Sequence, residues 1–448
     1  MRALNNKTGK AFIYVVLFTV MAGDAVRYSI SLLGYAIFAL GLSVVMAVLF
    51  FRLKPWTTVK QVPWPLAGLL ALMMVGSLWS NYQLISLGVS VLQLVQSAFA
   101  VILAAAFSWR EIMRFLANTI RFILGASILF ELYAAVIVRG PVEPIFKLYS
   151  GDKPPALDYY WSLGNLFKGE RVQGIVGNAN ILAYIAMIGL ILFAIEFTTR
   201  SINRWLSAAS ALVALGALVD AWSMTINFAL GAVALAAIVS IAAEGQDKVT
   251  RHRYYRVALW GVGLGALALL AFRAQIFGLM GKSADMTGRT YIWKRVLELI
   301  DQRPLQGWGW ISYWLPTVKP YKDLIWLHGV PYLQAHNAFL DIWMQLGIFG
   351  LGLFVGLLAY TFVALWRLAV RHTSPLYLWP ILVFVGIVVQ NLTESRMLIE
   401  IGWMLLILFA VKVRDPEDSL EPRVDQPKRV RLLSPSLRRN RSQPRKDR

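Results

Sequence analysis

The chain has 448 residues, of which 58% are hydrophobic and 15% charged, where an ordinary soluble domain carries about 25% charged residues. A soluble fold this apolar would expose too much greasy surface, so the composition excludes it and points to a bilayer. There is no cysteine, which removes disulfides and thiolate metal sites, and the net charge of +20 has to be read by its placement. The chain opens on a basic stretch and an apolar run with no small-residue cleavage site after it, so the run is read as a retained first span. Apolar stretches long enough to cross about 30 Å of hydrocarbon then follow one another. In chain order the candidate spans are 11–22 (extending toward 29), 32–51, 63–79, 84–108, 116–138, 174–197, 205–222, 225–243, 257–273, 337–366, 375–391 and 399–411.

The short loops set the orientation. Arg52 and Lys54 follow the second span, Arg110 and Arg114 the fourth, Arg200 and Arg204 the sixth, Arg251 and Arg253 the eighth, and Arg367 and Arg371 the tenth. With twelve spans these cations fall on one side, which the positive-inside rule makes cytoplasmic, with both termini inside. Residues 1–413 are thus expected to form one transmembrane domain and 414–448 a basic cytoplasmic tail. Twelve basic and six acidic residues between Lys412 and Arg448 suit a topology signal or an anionic-lipid contact, and no nucleic-acid partner is expected.

Two loops, 139–173 and 273–335, are long and fall on the outer side; long loops in a compact protein usually carry function. Both are basic, the second with eight cations against four anions, so an anionic visitor is expected. Within it, Tyr291, Lys294, Arg295 and Glu298 share one helical face, while Ile292, Val296 and Ile300 form an apolar stripe beside it. The spacing predicts an amphipathic helix lying at the membrane surface.

Of four histidines, only His328 and His336 face outward in this topology. His336 stands where the second long loop meets the tenth span. A neutral imidazole can take a proton from a hydroxyl near pH 7, although a histidine there could equally be hydrogen-bonded for structure. After His336-Asn337 come nine residues and then Gly347-Ile348-Phe349-Gly350. The two glycines would let a neighbouring helix approach closely and so fix where His336 points. Glu394, in the loop between the last two spans, either orients His336, contacts a sugar, or pairs with Arg396. Asp220 and Asn227, near a short outer turn, are candidates to line a cavity.

The pattern H-N-x9-G-x-x-G resembles the signature of the O-antigen ligase family. So do Gly288-Arg289-Thr290-Tyr291-Ile292-Trp293 with Pro304-Leu305-Gln306-Gly307-Trp308-Gly309, and Arg171-Val172-Gln173-Gly174 with Asn178 and Asn180. The likeness runs roughly from the third span to the twelfth. It implies an all-α polytopic membrane protein of about twelve transmembrane helices, with a glycosyltransferase fold of the GT-C type and a large periplasmic loop, in a bacterial inner membrane. It also implies an undecaprenyl-diphosphate-linked glycan donor, a lipid A–core acceptor, and surrounding membrane lipids. On this reading His336 is the general base of an inverting transfer. Arg289 and Arg171 meet the diphosphate, and Asn337, Glu394, Gly347 and Gly350 support them. O-antigen polymerases and protein O-oligosaccharyltransferases share the superfamily, and a lipid-glycan transporter is the non-enzymatic alternative. Many relatives carry an arginine in a Ser-Arg-Gly-type middle segment; the corresponding Ser223-Met224-Thr225-Ile226-Asn227 has none. No P-loop, zinc-binding His motif or outer Asp-x-Asp is present, so a reaction without metal or cofactor is expected.

Overall fold

The computed structural model describes residues 4, 6–146, 156–243, 246–247, 249–250, 253–254, 256–257, 260–261, 288–327, 330–372 and 374–414. Most of candidate span 257–273, His252, His328 and the tail beyond 414 lie outside the described residues. The protein is a helical bundle. It begins with α1 (Lys7–Met21), α2 (Gly23–Leu53), α3 (Trp56–Val59) and α4 (Trp64–Gly76), followed by α5 (Gln83–Ala106) and α6 (Trp109–Leu132). Next come α7 (Ala179–Thr199), α8 (Arg204–Ala221) and α9 (Met224–Ala242). After the described start of the second outer loop come α10 (Arg289–Gln302) and a two-stranded antiparallel ribbon of β1 (Trp326–Leu327) and β2 (Val330–Pro331). The chain closes with α11 (Ala338–Arg371), α12 (Trp379–Gln390) and α13 (Glu400–Lys412). Side-chain caps start several helices: Asn6, Ser108 in a capping box with Glu111, Asn178, Asn203 and Asn337.

Among the described residues seven helices are long and apolar enough to cross a membrane, against the twelve expected. The shortfall has a physical cause. α1, α4, α12 and α13 have 15, 13, 12 and 13 residues, which rise only about 18–22 Å and fall short of the hydrocarbon thickness, and most of candidate span 257–273 lies outside the described residues.

Two of the long helices are not straight rods. In α2, Ser31 leaves helical geometry at φ 81° and its hydroxyl caps Gly34 N–H. Tyr35 Oη lies 2.9 Å from the position a Cβ on Gly23 would take; twelve residues of straight helix would separate them by about 18 Å. The chain therefore folds back at Ser31. α11 does the same at Gly347 (φ 68°, ψ −172°). The rings of Phe339 and Phe354 meet at 5.6 Å, whereas a straight helix would hold their Cα atoms about 22 Å apart.

One apolar core fills the bundle, and a smaller one lies under the second outer loop, built from Ile292, Val296, Ile300, Trp308, Trp314 and Met344 among others. The apolar stripe of α10 is expected at the membrane surface from sequence. It packs inward on this second core instead, with Val296 wholly buried, so its apolar face is satisfied by protein. The first outer loop is tied down by α6: Glu131 accepts from Ser162 Oγ and Gly174 N–H at 2.8 and 2.7 Å, and Ser127 Oγ accepts from Ile175 N–H.

Candidate active site

The reversal at Gly347 sets the depth of the site. Phe354 lies about 10 Å along the helix from the turn and Phe339 is level with it. His336, just before the arm that begins at Ala338, therefore sits back beside the middle of the bundle and not at the mouth of a straight span. An independent contact agrees: Gln93, about 15 Å down α5 from its loop end, donates to Leu398 O at 3.0 Å. The loop 391–399 is thus sunk between helices, as the shortness of α12 and α13 requires.

The two glycine motifs form one joint. At the Gly347 bend the helix releases the carbonyls of Met344 and Gln345, which accept from Trp308 and Gly309 N–H at 3.1 and 2.8 Å, while Ile348 N–H donates to Pro304 O at 2.9 Å. A Cβ on Gly347 would lie 1.9 Å from Leu305 O, and one on Gly307 2.5 Å from Gln345 O. The close approach expected from the glycines is real, but at Gly347 the visitor is the 304–309 turn segment and not a helix. Gly350 makes room for the arm's own Leu346, whose Cβ would be 2.3 Å away.

His336 is held on every side. Its backbone lies in the left-handed region (φ 49°), which L-residues occupy at a cost of about 1–3 kcal/mol and chiefly where function demands it. The preceding peptide is clamped: Ala335 N–H donates to Asp341 Oδ2 at 3.2 Å, and Ala335 O accepts from Trp293 Nε1 at 3.1 Å. Asn337 caps the arm through Phe339 and Leu340 N–H and donates to Leu392 O. Ala338 N–H donates to both Asn391 O and Glu394 O at 3.0 Å, docking the loop 391–394 on the start of the arm. Asp341, which the sequence reading passed over, also accepts from Trp314 Nε1 and Gln345 Nε2. Its only sequence signal was an acid five residues after the histidine in an otherwise apolar run.

Glu394 joins the candidate groups. Its Oε2 lies 2.9 Å from His336 Nδ1 and its Oε1 accepts from Arg289 Nη2 at 2.8 Å, with the carboxylate side chain 5% exposed. Arg289 Nε also donates to Thr393 O at 3.0 Å. Arg396 pairs elsewhere, with Glu400 and Tyr313 Oη, at 3.1 and 3.0 Å. Burial alone would raise the Glu394 pKa, but His336, Arg289 and Arg396 outweigh it and bring it from 4.5 down to about 2. An ionised carboxylate only accepts, so His336 Nδ1 carries the hydrogen that meets Glu394, and a neutral ring in that tautomer has its lone pair on Nε2. A carboxylate held low in the folded state stabilises fully above its unfolded value and loses that contribution as pH falls toward the folded one. The Tm difference between wild type and Glu394→Gln in detergent is therefore expected to be widest near neutral pH and to narrow below about pH 4.5. An equal difference at pH 7 and pH 3 would count against the ion cluster.

Arg171 reaches the same region by a relay. Its Nη2 donates to Asn180 Oδ1 at 2.6 Å, which also accepts from Ser223 Oγ at 3.0 Å. Two residues on, Thr225 Oγ1 accepts from Thr393 Oγ1 at 3.0 Å, beside Glu394. Arg171 Nε donates to Ala221 O at 2.9 Å. Asp220 O accepts from Val172 N–H.

Residues 179–355 match a family model described as O-Antigen ligase, a span that holds Arg289, His336, Gly347 and Gly350. Over that stretch the chain is similar to the O-antigen ligase superfamily. A relative agrees: the exopolysaccharide production protein ExoQ of Rhizobium meliloti (strain 1021) is 25% identical over 202 residues, covering 42% of this chain and 45% of that protein. The match thus spans less than half the length of that relative. Arg171 and Glu394 lie outside the family-model match. Arg171 Nε meets the backbone at Ala221 O, two residues before the Ser223-Met224-Thr225-Ile226-Asn227 stretch.

Proposed function

We propose that the protein transfers a glycan from a polyprenyl diphosphate to a sugar hydroxyl, with the His336–Glu394–Arg289 cluster at its centre. The observation that carries the reading is one buried carboxylate bound at once by an imidazole and a guanidinium. His336 Nε2 takes the acceptor's hydroxyl proton as that oxygen attacks the anomeric carbon. The carbon–oxygen bond to the diphosphate breaks, its electron pair stays on the lipid diphosphate, and the anomeric centre inverts. Arg289 and Arg171 offset the charge that develops on the leaving group. An apolar groove of about 500 Å³, lined by Phe18, Val26, Phe38 and Phe122, is this reading's place for the polyprenyl chain. The site faces the periplasm of a bacterial inner membrane, the donor is undecaprenyl-diphosphate-linked O-antigen, and the acceptor is lipid A–core.

A second reading, chain extension in which another lipid-linked glycan is the acceptor, is favoured by the exopolysaccharide production relative. Reconstitution with an undecaprenyl-diphosphate-linked saccharide separates them, with lipid A–core, a second donor molecule and a peptide offered in parallel with EDTA present. Transfer to a sugar acceptor, none to peptide, and a loss of at least 100-fold in Arg289→Ala (about the weight of one charge-stabilising donor) are expected. No transfer to either sugar acceptor, or an Arg289→Ala variant as fast as wild type, would overturn the proposal.

A further inference from the structure

The loop that carries Glu394 has a second face. Two residues on, Arg396 turns away from His336 and Arg289 and bonds Tyr313 Oη and Glu400 through Nη1 alone. Its side chain is 15% exposed, and among the described residues its Nε and Nη2 have no partner. Asp24 and Arg27, an ion pair at 2.9 Å on the short arm of α2, lie within electrostatic reach of Tyr313 and Glu400. Tyr35, brought back by the Ser31 reversal, lies near the same two carboxylates. Tyr184, one turn past Asn180 on α7, lies within electrostatic reach of Arg396 and Glu400. Its hydroxyl is buried with no hydrogen-bond partner, as is Arg27 Nε.

Buried polar atoms left unpaired are costly and are seldom kept without a use. This cluster keeps two together, Tyr184 Oη and Arg27 Nε, beside the loop that carries Glu394, the partner of the proposed base. Each guanidinium already faces a carboxylate, so a diphosphate would have to break an ion pair to bind here. A neutral polyol needs only hydrogen bonds, and the cluster offers tyrosine hydroxyls, free guanidinium hydrogens and carboxylate oxygens, with aromatic rings beside them. We propose that Tyr35, Tyr184, Tyr313, Arg396 and Glu400, with Arg27 at the rim, form a saccharide subsite that receives a neutral sugar ring beside Glu394. The proposal rests on the glycan-transfer reading and extends it to substrate recognition. The sugar could belong to the lipid-linked donor or to the acceptor.

Tyr184→Phe and Tyr35→Phe are the informative variants, because neither hydroxyl has a protein partner among the described residues. A purely structural role would leave thermal stability equal or higher and sugar binding unmoved. Thermal shift of the purified protein in detergent is read with three probes: undecaprenyl diphosphate, the same lipid carrying one N-acetylhexosamine, and a free disaccharide. In wild type a sugar-bearing probe is expected to stabilise beyond the bare diphosphate. Both Phe variants are expected to lose that increment, with about tenfold weaker apparent affinity, while still responding to bare diphosphate. An increment with the glycosylated lipid alone assigns the ring to the donor; one with the disaccharide assigns it to the acceptor. Arg289→Ala tests the underlying reading separately, through the response to bare diphosphate. The subsite is overturned if wild type shows no sugar increment, or if both Phe variants match wild type with every probe.

Discussion

His336→Ala is expected to abolish glycan transfer, by the 100- to 10,000-fold or so that a positioned general base contributes, while donor binding survives. His336→Asn is the stricter variant. Asparagine tolerates the left-handed backbone that His336 adopts at φ 49° better than alanine does, so the Ala335 clamp and the Asn337 cap stay in place. If the imidazole is the base, both variants lose transfer equally, and both still gain thermal stability from polyprenyl diphosphate through Arg289 and Arg171. The expected split is a collapse of kcat with little change in donor affinity, since the proton moves only in the transition state. Transfer by His336→Asn at near wild-type rate would remove the histidine from the chemistry. Loss of donor binding together with transfer would recast it as a residue that holds Glu394 and Arg289 in place.

The parts of this site that were legible in the sequence are those whose chemistry is local. A histidine followed by asparagine at a loop–helix junction signals a cap, and Asn337 caps the arm. The Arg289 and Glu394 side chains were candidates by residue type, but nothing local says that positions 105 apart share one ion pair. The alternative partner for Glu394, Arg396, stands nearer in sequence but pairs with Glu400 instead. The reversal at Ser31 falls at the boundary that the sequence places between its first two candidate spans, whereas the one at Gly347 was hidden for a different reason. Apolar periodicity continues across Gly347, so length alone made the tenth candidate span one straight passage. A single residue with positive φ breaks the direction of a helix without breaking its hydrophobic pattern. The stripe of α10 shows the converse: periodicity reports an apolar face, and only packing says whether lipid or protein covers it.

The joint at Gly347 yields the sharpest stability test. Its φ and ψ of 68° and −172° lie in a region that is essentially glycine-only, and an added Cβ would overlap Leu305 O at 1.9 Å. Gly347→Ala must therefore either straighten the arm or push the 304–309 segment away. Both outcomes break the bonds from Trp308, Gly309 and Ile348 that join the two glycine motifs. The expected loss is more than about 4 kcal/mol, in the range confined to a few severe mechanisms, with transfer abolished because His336 loses its depth and its contact with Glu394. Gly352→Ala is the control. It lies five residues further along the same helix, and a Cβ there meets nothing within 4 Å, so it is expected to be neutral or to stabilise by about 0.5–1 kcal/mol through helix propensity. Tm in detergent and transfer activity, measured on the pair, separate the two roles. Were Gly347→Ala to match Gly352→Ala in both, the reversal would have to be abandoned, and with it the placement of the base beside its carboxylate.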